Sequence, residues 1–117
     1  MAERGVLVEL YDVPDSEAFT AWIYESRYPE VFKLYPGIRS IKRYEILNPG
    51  RPGRQHILMV LETDDVEALE EYRRRGPGLA MKRDADARGV QNRLEHWGRL
   101  IYVAHKRQDG TVVTGRD

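Results

Sequence analysis

The segment 19–47 contains a helical pattern, a Pro-Gly corner and a strand pattern in direct succession. The apolar residues at helical spacing in its first part are Phe19, Trp22 and Ile23. Proline removes a backbone donor and restricts the residue before it, so Tyr28-Pro29 predicts a bend or a fresh helical turn. Pro36-Gly37 ends the helix, and the alternation over 38–47 predicts a strand. This order of helix, corner and strand sets the fold of the chain.

The rest of the chain contains further strand and helix patterns. In order they are a strand at 5–11, a strand at 55–63, a helix at 64–75 ended by Gly76-Pro77-Gly78, a weaker helix at 79–97 and a strand at 99–105. The order β-α-β-β-α-β predicts an α+β, ferredoxin-like fold with a four-stranded antiparallel sheet. We expect one domain over 1–106 and a polar C-terminal tail over 107–117.

Helix ends and corners carry local predictions. Asp15 or Ser16 has the chemistry to cap the first helix, and Asp64 with Glu67 resembles a capping pair for the second. Gly37 is expected to adopt a positive φ, where a side chain is penalised.

The predicted strands are apolar on both faces. At 5–11, Val8 falls on one face and Leu7 on the other, and the strand at 55–63 behaves in the same way. Helices on one side of a sheet cover only one face. We therefore expect a homodimer that buries the second face.

Composition excludes several classes of protein. Lys plus Arg and Asp plus Glu number 19 each, which argues against a nucleic-acid partner and against a polybasic membrane-surface protein. The chain has no cysteine, so disulfides, thiolate nucleophiles and Cys-metal sites are ruled out. No stretch reads as a signal peptide or approaches the roughly 20 apolar residues of a membrane span, so a cytoplasmic protein without a membrane partner is expected.

Part of the first segment resembles a known family. Its matching residues are Trp22, Pro29, Glu30, Pro36, Gly37, Ile38, Arg43 and Tyr44. They are similar to the dimeric α/β-barrel superfamily, and within it to the EthD-like branch, whose helix often ends W-Y-D-x-x-H-x-P-E before a P-G-[FI] corner and an R-R-Y strand. In this chain Ile23, Tyr24 and Arg27 replace the family's Tyr, Asp and His, and Lys42 replaces the first Arg of the strand.

The resemblance implies a barrel-like dimer with a pocket between the helices and the sheet of one subunit. It further implies a cofactor-independent enzyme that acts by acid/base chemistry on a hydrophobic aromatic or polyketide-like carbonyl compound. The reaction classes are cyclisation, isomerisation, lyase steps or cofactor-free oxygenation. Because Arg27 stands where the family has a histidine, the alternative is a non-catalytic small-molecule-binding or accessory protein. A structural or subunit-interaction module is a third possibility.

Four residues are candidates for catalysis. His96 is the predicted acid/base group, since histidine titrates near neutral pH, and its alternative is a partly exposed helix-end residue. Arg27 is expected to polarise a substrate oxygen, helped by Tyr28 or Tyr44. Alternatively, Arg27 forms a salt bridge with Glu25, Glu30 or another acid; the internal strand candidates are Glu9, Glu45 and Glu62.

Four more residues are candidates for ligand binding: Trp22, Tyr24, His56 and Trp97. The alternative for His56 is a packing role at a strand end. The three histidines lack ligand spacing, so no metal is predicted. No cofactor is expected either, although His96 would be the axial ligand if haem bound.

Three polar stretches have two or more interpretations. The loop 48–54 is either an anion cradle or, as favoured, a plain connection. The arginines at 73–75 are expected to form a solvated helix end rather than a binding site. The stretch 111–114 either folds back as a strand, reaches a partner subunit or is disordered, and Asp109-Gly110 is a turn signal.

Overall fold

The computed structural model describes residues 2–48 and 52–115. In chain order the elements are β1 (Gly5–Pro14), α1 (Glu17–Trp22), a π-helix (Ile23–Arg27), α2 (Tyr28–Leu34), β2 (Ile38–Glu45), β3 (Arg54–Thr63), α3 (Val66–Arg74), α4 (Gly76–Ala87), β4 (Gln91–Arg99), β5 (Val103–Lys106) and β6 (Val112–Gly115). Within this part of the chain, no helix is both long and apolar enough to cross a membrane.

The main sheet has four antiparallel strands in the order β2-β3-β1-β4. The two central strands, β1 and β3, are the ones with the most apolar sequences. Leu7 of β1 pairs with Leu61 of β3 on one side and with Trp97 of β4 on the other. This strand order is that of a ferredoxin-like fold, and the predicted α+β fold class is confirmed.

The helices cover one face of this sheet and form the core with it. The most deeply buried apolar residues include Leu7, Val13, Ile57, Leu61 and Leu69. Burial of such side chains is the main force that holds the two layers together. The first helix begins as predicted, because the Ser16 side chain accepts a hydrogen bond from the Phe19 backbone amide at 3.1 Å.

The Pro-Gly corner is confirmed. Gly37 has φ +63°, and its carbonyl accepts from the Asp64 amide at 2.8 Å. The Thr63 hydroxyl donates to the Pro36 carbonyl at 3.1 Å. The corner is therefore bonded to the end of β3, which fixes where β2 begins.

Two predictions about the second helical region are wrong. The cap of α3 is Asp65, whose carboxylate accepts from the Ala68 amide at 3.0 Å, whereas Asp64 pairs with Arg39 at 2.7 Å. The Gly76-Pro77-Gly78 stretch begins α4 instead of following the last helical turn as a terminator. Proline fits there, since the first turn of a helix leaves its amide groups unpaired.

The predicted helix at 79–97 is wrong in its second half. The chain is helical only to Ala87, then turns at Gly89, which has φ +121°, and continues as β4. Val90, Leu94 and Trp97 match helical spacing, but the buried side of β4 is made by alternate residues that include Arg93 and Glu95. Because some residues on the buried side are charged, apolar and polar residues do not alternate along β4, and the two-residue period of a strand cannot be recognised in the sequence.

The predicted fourth strand at 99–105 is also displaced. Arg99 ends β4, and residues from Val103 to Lys106 pair instead with β6 in a separate two-stranded hairpin. Of the alternatives for 111–114, folding back as a strand is the one observed, and Asp109-Gly110 lies in the turn. The domain boundary predicted at 106 falls inside this hairpin.

The face of the sheet away from the helices, here called the open face, is apolar. Its residues include Val6, Val8, Leu10, Tyr44, Leu58, Val60 and Leu94. Tyr44 and Leu94 are 49% and 57% exposed. This agrees with the sequence pattern of strands that are apolar on both sides.

Candidate functional site

A small cavity of about 50 Å³ lies between the helices and the sheet. Its ionisable lining residues are Glu9, Arg27, Arg73, Lys82 and Arg93, and its hydroxyl groups come from Tyr11, Tyr28 and Tyr35. The rest of the wall is apolar. We call it the helix–sheet cavity, and its position matches the pocket expected from the family resemblance.

The π-helix supplies one wall of the cavity. The Tyr28 amide donates to the Ile23 carbonyl five residues earlier, which widens the turn just before Pro29. Both ends of this segment, Ile23 and Arg27, are buried and line the cavity. Single π-turns of this kind occur often at functional sites.

Tyr11, Tyr28 and Arg43 form a polar cluster beside the cavity. The Arg43 Nη1 donates to the Tyr28 hydroxyl at 3.1 Å and to the Tyr11 hydroxyl at 3.3 Å. Burial raises the pKa of Tyr11, and the charge of Arg43 opposes this only in part. Burial also raises the pKa of Tyr28, against the charge and hydrogen bond of Arg43. Both tyrosines are therefore protonated at neutral pH: their oxygens accept from Arg43, and each keeps a hydroxyl hydrogen that it can donate.

Arg43 is a half-buried cation with neutral partners. Within residues 2–48 and 52–115 its hydrogen bonds go to the two tyrosine hydroxyls, and no carboxylate lies within ion-pair distance. A guanidinium removed from water favours a negatively charged or strongly polar oxygen nearby. The cluster is therefore suited to stabilise negative charge on an oxygen that reaches the tyrosines.

A second cluster surrounds Glu9 on the same side of the sheet. Glu9 is 2% exposed, and its Oε2 lies 2.6 Å from Arg93 Nη1 and 3.2 Å from Arg73 Nη2. Arg73 Nη2 also binds Glu95 at 3.1 Å, and Lys82 Nζ lies 2.7 Å from the same carboxylate. Burial alone would raise the pKa of Glu95, but Lys82 and Arg73 lower it below its usual range.

Three arginine nitrogens along the cavity wall lack an acceptor. The Nε atoms of Arg27, Arg73 and Arg93 are buried and have no hydrogen-bond partner among the described residues. For Arg27, the Glu30 carboxylate lies 3.3 Å away but outside hydrogen-bond geometry. Buried donors without acceptors are uncommon in folded proteins and mark places where a polar ligand would be favourable.

Arg27 is buried and paired, as predicted, but with a different acid. Its Nη2 binds Asp84 at 2.8 Å, and its Nη1 donates to the Met81 carbonyl at 2.8 Å. The strand candidates Glu9, Glu45 and Glu62 were wrong, because Arg27 points toward α4 rather than the sheet. The predicted alternative partner Glu30 is present. Arg27 thus connects the π-helix to α4 along the cavity wall.

The other predicted residues are spread over three parts of the molecule. Tyr28 lines the cavity, whereas Tyr24 is 55% exposed and packs against its ring at 6.0 Å between centroids. The Trp22 ring contacts the guanidinium groups of Arg27 and Arg88, which lie 4.6 and 4.3 Å from its centroid. Of these predicted residues, Arg27 and Tyr28 line the cavity, Trp22 contacts Arg27 without lining it, and Tyr24 lies at the surface.

The two histidines and Tyr44 lie on the open face instead. His96 is exposed on β4, paired across from Val8, and is not at a helix end. His56 Nδ1 lies 2.6 Å from the Oδ1 of Asp12, a fully buried carboxylate that also accepts from Asn92 at 2.8 Å. None of the three reaches the helix–sheet cavity.

Trp97 is half-buried on the helix side of β4, in a cleft next to the cavity. The three arginines at 73–75, which were predicted to be solvated, lie in two different environments. Arg74 and Arg75 pair with Glu70 and Glu71 at the surface, but Arg73 is buried in the Glu9 cluster. The prediction of a solvated helix end is therefore wrong for Arg73.

The sequence contained a signal for part of what was missed. Glu9 and Tyr11 interrupt the otherwise apolar side of β1, and a charged residue among buried positions indicates a paired or functional site. Arg43 belongs to the motif of the resembled family, but no local pattern indicates the partners of Arg43, Arg73 and Arg93, since these partners are distant in the chain.

The loop 48–54 is described only at its ends, and 49–51 lie outside the described residues. Arg54 donates to the backbone carbonyls of Asp12 and Gly89, so it links three parts of the fold.

Among the described residues, no group of three or more His, Asp or Glu side chains could hold a metal ion.

Comparisons with known proteins identify the fold. No protein-family model and no curated protein matches the chain. The crystal structure of an ethyl tert-butyl ether D (EthD) family protein from Bacillus halodurans matches with a TM-score of 0.55 and 23% identity, over 80% of this chain and 96% of that one.

A DABB family protein with a ferredoxin-like fold from Mesorhizobium loti matches with a TM-score of 0.53 and 16% identity, over 80% of this chain and 94% of that one. The resemblance to an EthD-like, ferredoxin-like fold is thereby confirmed at the level of the fold. At these identities, the two structures say nothing about the reaction.

Proposed function

We propose that the helix–sheet cavity binds a small molecule through a carbonyl or acidic oxygen, and that the chain is a cofactor-independent acid/base enzyme acting on a hydrophobic aromatic or polyketide-like carbonyl compound. The observation that carries the proposal is Arg43, a half-buried cation whose partners are the hydroxyls of Tyr11 and Tyr28. The cavity lies between the helices and the sheet, where the resemblance to the EthD-like branch implies a pocket, and this supports the proposal.

The tyrosines are assigned the role of holding the substrate oxygen. Each hydroxyl oxygen accepts from Arg43, and the two hydroxyls interact with each other, which leaves one hydroxyl hydrogen for a ligand. A fixed donor backed by a cation in a closed site stabilises charge that develops on an oxygen. The oxygen so favoured is that of an enolate or phenolate.

Glu9 is assigned the role of proton acceptor, because it is the carboxylate among the described lining residues. The C–H bond next to the substrate carbonyl breaks, its proton passes to Glu9, and its electron pair moves to the oxygen held by the tyrosines. Return of the proton to another carbon completes an isomerisation. This assignment gives Glu9 the proton-transfer role that was predicted for His96, since His96 lies on the open face and not at the cavity. An acid/base role of His96 itself stays a prediction.

The test is proton exchange on a small carbonyl compound. We expect the protein to accelerate deuterium incorporation next to the carbonyl of 2-tetralone in D₂O, followed by NMR. Glu9→Gln should abolish the acceleration, and Tyr28→Phe should reduce it by roughly a hundredfold, the cost typical of losing one such donor. Tyr24→Phe is the matched control, since Tyr24 is exposed, and should have no effect.

A non-catalytic binding protein is the second candidate, and one observation favours it. The Glu9 carboxylate is already engaged by two guanidinium groups. If 2-tetralone binds with no accelerated exchange, this second function is correct. If it neither binds nor exchanges, the assignment of the cavity as a site for such compounds is wrong.

We also propose that the open face is the contact surface of a homodimer. Tyr44 and Leu94 are about half exposed there, beside the half-buried Leu10 and Leu58. A contiguous apolar surface of this kind on a soluble chain usually marks an interface.

A further inference from the structure

A second cleft lies directly outside the helix–sheet cavity, between β4 and the helices α3 and α4. We call it the outer cleft. Its volume is about 320 Å³, and its wall includes Arg74, Leu79 and Trp97. Arg73 and Lys82 line both the outer cleft and the helix–sheet cavity. These two side chains therefore form the partition between the spaces.

One of the two partition residues is fixed. Arg73 is 8% exposed and binds Glu9, Glu95 and the Tyr35 hydroxyl, the last at 3.0 Å. A guanidinium held by three partners in a buried position does not move without leaving charges unpaired.

The other partition residue is held by a single contact. The Lys82 side chain is 31% exposed, and within the described part of the chain its ionic partner is Glu95, at 2.7 Å. This ion pair is partly exposed, and exchanging such a pair for contacts with water costs far less than breaking a fully buried one. Lys82 is therefore the part of the partition that can swing out.

The helix–sheet cavity is too small for the whole ligand that its chemistry suits. About 50 Å³ accommodates one polar head group, whereas sites for drug-sized ligands are roughly 300–1,000 Å³. The outer cleft has the missing room. It also has the right surface for the rest of such a molecule, since Trp97 and Leu79 offer apolar contact and the cationic side chains Arg74 and Lys82 lie beside them.

We propose that the outer cleft and the helix–sheet cavity are two halves of one site, joined when the Lys82–Glu95 ion pair opens. The ligand is an aromatic compound with an anionic or carbonyl head group, whose head enters the cavity while its ring rests on Trp97. The inference rests on the proposed function of the cavity, and it adds the entrance, the ligand class and the role of Lys82 as a positioning residue.

The probe for the test is 2-naphthoate, an aromatic carboxylate. All variants carry Trp22→Phe, so that Trp97 is the single tryptophan and its fluorescence reports binding. Stopped-flow mixing gives the association rate. Lys82→Met and Glu95→Gln should both raise that rate, by about fivefold, the upper range for losing a partly exposed ion pair. Lys33→Met, at an exposed lysine of α2, is the control and should leave it unchanged.

The two variants distinguish opening of the Lys82–Glu95 ion pair from electrostatic steering of the anionic probe. Lys82→Met removes a positive charge and Glu95→Gln removes a negative one, so steering of an anion would change their rates in opposite directions. Opposite changes, or no change, overturn the gate. Binding that is unaffected by Tyr28→Phe overturns the joined site, because the head group would then not reach the cavity.

The two proposals fail separately. If 2-naphthoate does not bind while 2-tetralone exchange is accelerated, the ligand class and the entrance are wrong, and the acid/base function stands. If 2-naphthoate binds with the expected rates but no exchange occurs, the joined site stands as a binding site.

Discussion

Arg27 and Asp84 form an ion pair of 2.8 Å that joins the π-helix to α4. Arg27 is 9% exposed, and the second terminal nitrogen of its guanidinium donates to the Met81 carbonyl, which also belongs to α4. A side chain with these contacts is expected to stabilise the fold. The position where the resembled family has a histidine is thus occupied here by a link between two helices.

Arg27→Met is expected to lower the free energy of unfolding by about 2 kcal/mol, less than for a fully buried pair because Asp84 is half exposed. Urea denaturation measures this, and Arg83→Met, at an exposed residue of α4, is the control. A double-mutant cycle with Asp84→Asn should give a coupling of at least about 0.5 kcal/mol. Full stability with weakened binding of 2-tetralone would instead mean that Arg27 serves the ligand.

Gly37→Val is expected to lower the melting temperature. At φ +63° a Cβ costs roughly 1–2 kcal/mol, and the added atoms would also meet the Thr63 hydroxyl at 3.1 Å and the Asp65 amide at 3.2 Å. Differential scanning calorimetry should show a fall of several degrees, on the order of 4 °C per kcal/mol.

Gly53→Val distinguishes the cost of a positive φ from the cost of crowding around the added side chain. Gly53 also has a positive φ, of +72°, but nothing lies within 4 Å of its added Cβ. Its melting temperature should fall by less than that of Gly37→Val. Equal decreases would mean that crowding at the corner contributes nothing.

Stability is expected to decrease at alkaline pH because of Tyr11 and Tyr28. Burial raises the pKa of both, so the folded chain keeps two protons that the unfolded chain releases above about pH 10. Their contribution is complete below that pH and is lost as the pH rises toward the folded-state values. In a pH titration, phenolate absorbance from these two tyrosines should accordingly appear at a higher pH in the folded protein than in the unfolded chain.

Tyr11→Phe is the matched variant for the alkaline effect. It removes one of the two shifted groups and should flatten the fall of the unfolding free energy between about pH 10 and 12. Tyr102→Phe, at an exposed tyrosine, should leave the curve as in the unmodified chain. Identical curves for all three proteins would contradict the role of Tyr11.

Light scattering is expected to give twice the chain mass of 13.6 kDa. Leu94→Glu places a charge on the open face and should give a monomer with the same circular dichroism, since Leu94 is already 57% exposed within the chain. Leu47→Glu lies outside the strands and should remain dimeric. A monomeric unmodified protein at micromolar concentration would refute the open face as an interface.

The elements that were predictable have local signals. Ser16, Pro36 and Gly37 mark where a helix starts and where it ends, and each acts through its own backbone or nearest neighbours. The alternation on β1 and β3 identified their two faces, since burial there follows the pleat of the strand.

The elements that were missed depend on distant partners. Arg93 and Glu95 are partly buried on β4 because Glu9 and Arg73, some 80 and 20 residues away, neutralise them. Read alone, such charges predict a solvated surface. Arg27 and Tyr28 of the candidate site were predicted, but the pairing of Arg43 with Tyr11 and Tyr28 was missed for the same reason, because the three residues meet only in the fold.

The π-helix makes the spacing of residues in the chain a determinant of the cavity. Its wide turn contains one residue more than an α-helical turn, and deleting Ser26, an exposed residue within it, would restore ordinary hydrogen bonding. After the deletion Ile23 and Tyr28 would be four residues apart, so their hydrogen bond would become an ordinary α-helical one and the two residues would stay on the same face of the helix. A single-codon deletion, without any change of side-chain chemistry, would thus remove the wide turn from the cavity wall while leaving Ile23 and Tyr28 in place.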